Sequence, residues 1–310
     1  MGNKSCAFHA SSPFWRFWGI LLCLVFAPVV FLLTLYMFCK RCVCLYWQQA
    51  RLPKNSLLRR AFSLRGAGLT FLVSLRYRVQ LKGLDKLYTN GPVLFLSNHP
   101  SLLDPFILYA HLDGIRPRFI ADENQFTSGL MRWARDISGV ITIPDYTAIG
   151  PKAREGLLKG MEDAAAALRA GDSVALCPAG FMQREFGEKL NNTSSVARIL
   201  QGAPEARVIV AVVRGMWGSS FGRGAHNGKK PAFMAMLTHG VTVLLCNWVV
   251  FAPKRNLEIE FVDITEFCNE AGGGKLNTAA GRKAVTEKLE QLFNSNQPDK
   301  RTVPYYFWQQ

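Results

Sequence analysis

A chain of 310 residues with 49% apolar side chains can build one large domain or two smaller ones, which excludes disorder as its overall state. Lys and Arg number 37 against 22 Asp and Glu, a formal charge of +15, so an anionic partner is expected, either nucleic acid or an anionic bilayer surface. Of the eight cysteines, Cys6, Cys23, Cys39, Cys42 and Cys44 gather near the N-terminus and Cys177, Cys246 and Cys268 are scattered, which excludes a disulfide framework and leaves a zinc site without a second ligand cluster.

The tail, residues 1–16, opens Met1-Gly2-Asn3-Lys4-Ser5-Cys6, which approaches a myristoylation signal but carries Cys6 where Ser or Thr is required. Residues 17–39, Phe17 to Cys39, form an uncharged run long enough at about 1.5 Å per residue to cross a hydrocarbon layer of roughly 30 Å. A membrane anchor is predicted there. A cleaved signal peptide fits less well, because the run is too long and Tyr36 to Cys39 lacks a small-residue cleavage site. Pro28, near the middle, leaves open either a straight span or a helix pair dipping into one leaflet. Lys40, Arg41, Arg51, Lys54, Arg59 and Arg60 follow the run, whereas Lys4 and Arg16 precede it, so the positive-inside tendency puts the rest of the chain on the cytoplasmic side. Residues 40–76 form a basic juxtamembrane segment. Its second half mixes apolar and basic residues from Leu57 to Arg78, as in a helix lying in the membrane interface or an amphipathic helix packed on the domain.

From residue 77 to 310 short β-rich runs alternate with helical ones. Tyr77 to Leu81, Val93 to Ser97, Arg118 to Ala121, Val140 to Ile143, Ser173 to Cys177 and Val208 to Val213 are predicted strands. Asp104 to His111, Asn124 to Asp136, Lys152 to Ala170, Ser194 to Gln201 and a segment from Asn277 to about Asn294 are predicted helices. The uncharged stretch Ala232 to Ala252, crowded with β-branched residues in its second half, is read as a buried strand, with a membrane-dipping segment as the alternative. The expected fold is α/β, a single domain with a central, mostly parallel sheet flanked by helices.

The chemistry concentrates after the strand Val93 to Ser97, in Asn98-His99-Pro100-Ser101-Leu102-Leu103-Asp104-Pro105. A strand-to-helix turn there brings a histidine and a carboxylate together. A histidine that takes a proton from an attacking alcohol needs one ring nitrogen free and the other held by an acceptor, and Asp104 supplies that acceptor. The pair is then two members of the serine-enzyme arrangement, with the substrate hydroxyl in the serine's place. Asp104 ahead of Pro105 also fits a plain helix cap, so the pair alone does not establish catalysis.

The stretch Ser97 to Asp104 resembles the first motif of the glycerolipid acyltransferases of the 1-acylglycerol-3-phosphate acyltransferase superfamily: histidine, any four residues, then aspartate. Ser138-Gly139-Val140-Ile141-Thr142-Ile143-Pro144 resembles the second motif, Ala175-Leu176-Cys177-Pro178-Ala179-Gly180 the third, and Val208 to Gly215 the fourth, in the family's order. The continuation Arg214-Gly215-Met216-Trp217-Gly218-Ser219-Ser220-Phe221 is similar to bacterial lysophospholipid acyltransferases and their transporter fusions. The resemblance implies His99 as base, Asp104 as its orienting partner, and an acyl thioester on coenzyme A or acyl carrier protein as co-substrate, with no other cofactor and no metal. It also places Asn98 and Gly180 at the substrate. Two departures weaken a phosphomonoester acceptor: the third motif has Ala179 and Phe181 where the family carries a Glu and a Thr-like residue, and the second continues into Asp145 and Tyr146 where an arginine is usual. Arg184, Arg214 and Arg223 are the candidates for gripping a phosphate. Membrane lipids, including an anionic bilayer surface, are therefore the expected partners. Nucleic acid is not, because the basic residues cluster around the anchor without an aromatic and basic recognition motif.

Overall fold

The computed structural model describes residues 13–51, 64–87, 91–144, 150–190, 194–249, 251–272, 276, 278–298 and 303–306. The chain begins with α1 (Pro13–Arg51), one uninterrupted helix of 39 residues that carries Pro28 inside it, so the helix-pair alternative is replaced by a single rod. Its stretch Phe26–Gln48, 23 residues with mean hydropathy 1.7 and none of it buried, is long and apolar enough to cross a membrane. It overlaps the predicted Phe17 to Cys39, and α1 runs on through the first part of the basic segment. Ring contacts between Phe26 and Trp248 and between Phe38 and Phe71 lay it along the rest of the molecule.

Within the second half of the basic segment, residues 57–63 lie outside the described residues, and α2 (Leu64–Arg76) buries Gly66, Ala67, Thr70, Phe71 and Leu75. It is a helix packed on the domain. Gly66 is required there, because a Cβ would run into the Asp113 side chain. The same Asp113 accepts from Arg65 at 2.7 Å.

The domain continues as β1 (Tyr77–Lys82), β2 (Val93–Ser97), α3 (Asp104–His111), β3 (Arg118–Asp122), α4 (Gly129–Ser138), β4 (Ile141–Ile143), α5 (Pro151–Arg169), β5 (Val174–Leu176), α6 (Ser194–Gly202), β6 (Arg207–Arg214), α7 (Phe233–Cys246), β7 (Arg255–Asp263), α8 (Thr265–Gly272) and α9 (Ala279–Asn294). The seven strands form one sheet in the order β1-β7-β6-β2-β5-β3-β4. Every pairing is parallel except β6 with β7. The fold is thus α/β, with a mostly parallel sheet flanked by helices.

The central strand β2 explains why the core has two halves. Leu94 and Leu96 point into a cluster with α5, α6 and α9, while Val93 and Phe95 point into a second cluster with α3, β1 and β7. A strand buried on both faces reads as a continuous apolar run, which is what Val93 to Leu96 shows. Each such side chain contributes roughly 1.5–3 kcal/mol on burial. The last residues of that run therefore hold the following turn rigidly at the strand's C-terminal end.

Two sequence readings are corrected. Ala232 to Ala252 is not a buried strand: it forms α7 and a following turn, with only Val243 of the helix buried and Met234, Leu237, Val241 and Leu245 exposed. Those four recur at helical spacing, a stronger signal than the β-branched content that favoured a strand. The sheet position beside β6 is taken instead by β7, whose Leu257, Ile259 and Phe261 alternate with Glu258 and Glu260; the sequence reading passed over this period-two pattern, and α8 as well.

Candidate active site

The fully buried β2 ends in Ser97, and Asn98 locks the exit of the strand: its side chain donates to the Val213 carbonyl at 2.8 Å and accepts from the Val213 N–H at 2.7 Å. Asn98 is therefore buried and committed to β6. The next residue, His99, keeps 17% of its side chain exposed, whereas Asp104 keeps 3%. Nδ1 of His99 faces Oδ2 of Asp104 at 3.4 Å. This is longer than a tight hydrogen bond, as is common before substrate binds. With Nδ1–H turned to the carboxylate, Nε2 is left as the acceptor nitrogen.

Asp104 is the first residue of α3, and no side chain caps that helix. Its oxygens accept instead from the Ser101 N–H at 2.6 Å and the Ser101 hydroxyl at 3.0 Å, upstream in the turn, so plain capping of α3 is not its part. Burial pushes its carboxyl above the usual range, against the lowering effect of His99 and Ser101.

Three of the four sequence blocks, or the segments that directly follow them, meet at this turn. The Gln183 N–H donates to the His99 carbonyl at 2.8 Å, and the Leu102 N–H donates to the Phe221 carbonyl at 3.1 Å. Leu102, Met182 and Phe221 bury one another beneath the loops. The fourth partner is absent: β4, which holds the second block, lies at the far edge of the sheet, three places from β2, or about 14 Å at about 4.8 Å per strand. Asp145 and Tyr146 lie outside the described residues.

The remaining predicted residues separate into two groups. Gly180 is exposed in the turn after β5, with φ 72°, a conformation open to glycine, and its N–H bonds back to the Cys177 carbonyl at 3.0 Å. Arg184 is exposed, its guanidinium 4.6 Å over the Phe181 ring. Arg223 donates to the Gly228 carbonyl at 2.9 Å, and among the described residues its buried Nε has no partner. Burial lowers the Arg223 pKa, and the charge of Arg184 lowers it further. Arg214 is different. It is buried, and its guanidinium donates to Glu258 at 2.8 Å, Glu260 at 2.6 Å, and the Ser295 carbonyl and hydroxyl at 2.7 and 2.9 Å. The expected phosphate ligand is an internal ion-pair hub.

A residue the sequence reading missed sits beside the pair. Glu188 is buried, its Oε2 3.4 Å from the His99 N–H, and Asn294 clamps its backbone from both sides at 2.7 and 2.9 Å. Burial, aided by Asp104 and opposed by His99, pushes its carboxyl up to about 7. No periodicity marked Glu188; the only signal was an acid soon after the third block. Cys177 is near both carboxylates, and burial, then Glu188 and Asp104, push its thiol up, so it remains a thiol and not a nucleophilic thiolate.

The Glu188 shift has a measurable sign. Between the ordinary value of 4.5 and about 7, the folded chain holds a proton that the unfolded chain has released, so this group makes stability fall as pH rises through that window. The expected size is on the order of 2 kcal/mol. Denaturant unfolding of Glu188→Gln at pH 5 and pH 8 should show the variant gaining on the parent at pH 8; an equal difference at both would contradict the assignment.

Residues 78–247 match the family model described as Acyltransferase. Comparison with curated proteins finds no match. Among solved structures the chain is similar to the 1-acyl-sn-glycerophosphate (LPA) acyltransferase PlsC from Thermotoga maritima, with a TM-score of 0.46 and 14% identity over 86% of this chain and 94% of that one.

Proposed function

The chain belongs to the acyltransferase family, and from that premise we propose that it moves a fatty acyl group from an acyl thioester onto the hydroxyl of a lysophospholipid or related glycerolipid. The observation that carries this reading is the contact of partly exposed His99 with buried Asp104 at the end of β2. In the reaction, Nε2 of His99 takes the proton of the acceptor hydroxyl as its oxygen attacks the thioester carbonyl. The C–O bond forms, the C–S bond breaks, and the proton passes from His99 to the departing thiolate. Asp104 holds the imidazole in the tautomer that leaves Nε2 free. The donor is carried on coenzyme A or on acyl carrier protein, both of which present the same thioester.

A membrane location supports a lipid substrate. Besides α1, the exposed stripe of Met234, Leu237, Val241 and Leu245 on α7 ends near Trp248, whose ring meets Phe26 of α1. The two apolar surfaces are contiguous. The basic residues after the predicted anchor orient the domain toward the cytoplasm. Among the described residues, Arg184 and Arg223 have no carboxylate partner and are the candidates to meet a head-group phosphate, while Ala179 and Phe181 remove a polar contact. We assign the acceptor accordingly to lysophospholipids with a phosphodiester head group.

The experiment is a transfer assay on the full chain in mixed micelles, with labelled acyl-CoA or acyl carrier protein against a panel of lysophospholipids and lysophosphatidic acid. Product is expected with at least one phosphodiester acceptor, at a higher rate than with lysophosphatidic acid. No product from any acceptor would leave a lipid-binding member of the family without turnover.

A further inference from the structure

Between α1, α2, the start of β1 and the end of α3 lies a cavity of about 320 Å³. Arg41, Arg78 and Lys254 line it from three separate parts of the chain, and among the described residues no Asp or Glu does. Three cations drawn together without a carboxylate repel one another, a cost that folding does not incur without compensation. The repulsion is visible: burial lowers the Lys254 pKa, and Arg78 and Arg41 lower it further.

The wall also carries an unanswered donor. Among the described residues, Nε of Arg41 is shut from solvent and has no hydrogen-bond partner. A buried charged donor without an acceptor is costly, and an anion in the cavity would relieve it. Lys254 reaches the Ser74 carbonyl at 2.6 Å with one of its three donors, which leaves two. His111 adds a neutral contact. Burial drives its pKa down to about 4, and its Nδ1 faces the Ile107 carbonyl at 2.8 Å, so Nε2 is an acceptor for a hydroxyl.

The cavity lies where α1 leaves the uncharged run Phe17 to Cys39, with Arg41 in the last two turns of the longer apolar stretch Phe26–Gln48. Strands β1 and β7 run opposite to β2, so Tyr77 and Arg255, paired at their starts, lie at the end of the sheet that bears His99. His111 is seven residues from Asp104 on α3, about 10 Å along the helix. A glycerolipid's hydroxyl and its own phosphate are only a handful of bonds apart, too close to occupy both places. The cavity therefore serves a second molecule.

We propose that the Arg41, Arg78 and Lys254 cavity binds the phosphate of an anionic membrane lipid, separate from the acceptor at His99. The proposal rests on α1 as a membrane span and not on acyl transfer, so a binding measurement tests it whatever the catalytic outcome. The purified full chain in neutral detergent is titrated with dihexanoylphosphatidylglycerol, dihexanoylphosphatidylcholine and inorganic phosphate. The anionic lipid is expected to bind about tenfold more tightly than either of the others. Arg78→Gln, at an exposed position, should weaken it about fivefold, Arg78→Gln with Lys254→Gln at least about tenfold, and Arg78→Lys much less. Thermal unfolding verifies that each variant is folded. Unchanged affinity in the folded double variant overturns the proposal, as does equal affinity for the zwitterionic lipid. Inorganic phosphate binding as tightly as the anionic lipid overturns the lipid assignment in favour of a free-phosphate site.

Discussion

Replacement of His99 by alanine should cut acyl transfer by about a thousandfold or more while leaving the fold and membrane association in place. A positioned general base contributes on the order of 10² to 10⁴ in rate, and His99 here has two proton transfers to perform, first from the hydroxyl and then to the thiolate. The fold does not depend on the imidazole. Its ring is partly exposed, and the turn is held by backbone and Asn98 contacts: Asn98 to Val213, Gln183 N–H to the His99 carbonyl, and Leu102 N–H to Phe221. Initial rates with the acceptor found in the lysophospholipid panel, alongside thermal unfolding of the same preparation, separate the two effects. Turnover within tenfold of the parent in a folded His99→Ala protein would remove the imidazole from the mechanism. Asp104→Asn should keep the turn, since its carbonyl oxygen in the place of Oδ2 can still accept from the Ser101 N–H and face Nδ1 of His99, yet lose the negative charge that stabilises the imidazolium as it forms.

The sequence made the scaffold of this site visible because the scaffold is built of local patterns. The apolar run Val93 to Leu96, the turn that follows it and the helix from Asp104 to His111 each rest on neighbours in sequence, and the structure has them at those positions. What local pattern cannot show is which surfaces meet. Ala232 to Ala252 carries both β-branched content and apolar residues at helical spacing, and the neighbour positions of β6, filled by β2 and β7, show that the sheet has no place for it there. Glu188 belongs to the same class. Its proximity to His99 depends on a loop clamped by Asn294, 106 residues away, and no spacing rule reports that contact.

Arg214 shows the limit most sharply, because its sequence context at the end of the fourth block and its chemistry both pointed to a phosphate. Removing its charge should instead damage the fold. In Arg214→Met, Glu258 and Glu260 lose a common cation and the Ser295 carbonyl and hydroxyl lose their donors. Breaking one side of a buried ion pair costs about 3–5 kcal/mol. Glu258 keeps Lys82 at 2.5 Å, and Glu260 is partly exposed, so the lower part of that range, about 3 kcal/mol, is expected. Denaturant unfolding of the full chain in detergent reads it directly. The pH dependence gives a second handle. Burial raises the Glu258 pKa, but Lys82 and Arg214 outweigh it and hold the carboxyl below its ordinary 4.5, so the pairing stabilises the fold above that value and is lost as pH falls through the lowered one. The gap between parent and variant should therefore narrow in acid. Arg214→Lys keeps the charge but not the fork that spans two carboxylates and Ser295, and should fall between the two. A variant as stable as the parent at pH 7, with impaired use of lysophospholipid, would return Arg214 to the substrate. A destabilised variant whose surviving folded fraction turns over normally places the head-group phosphate with Arg184 and Arg223 instead.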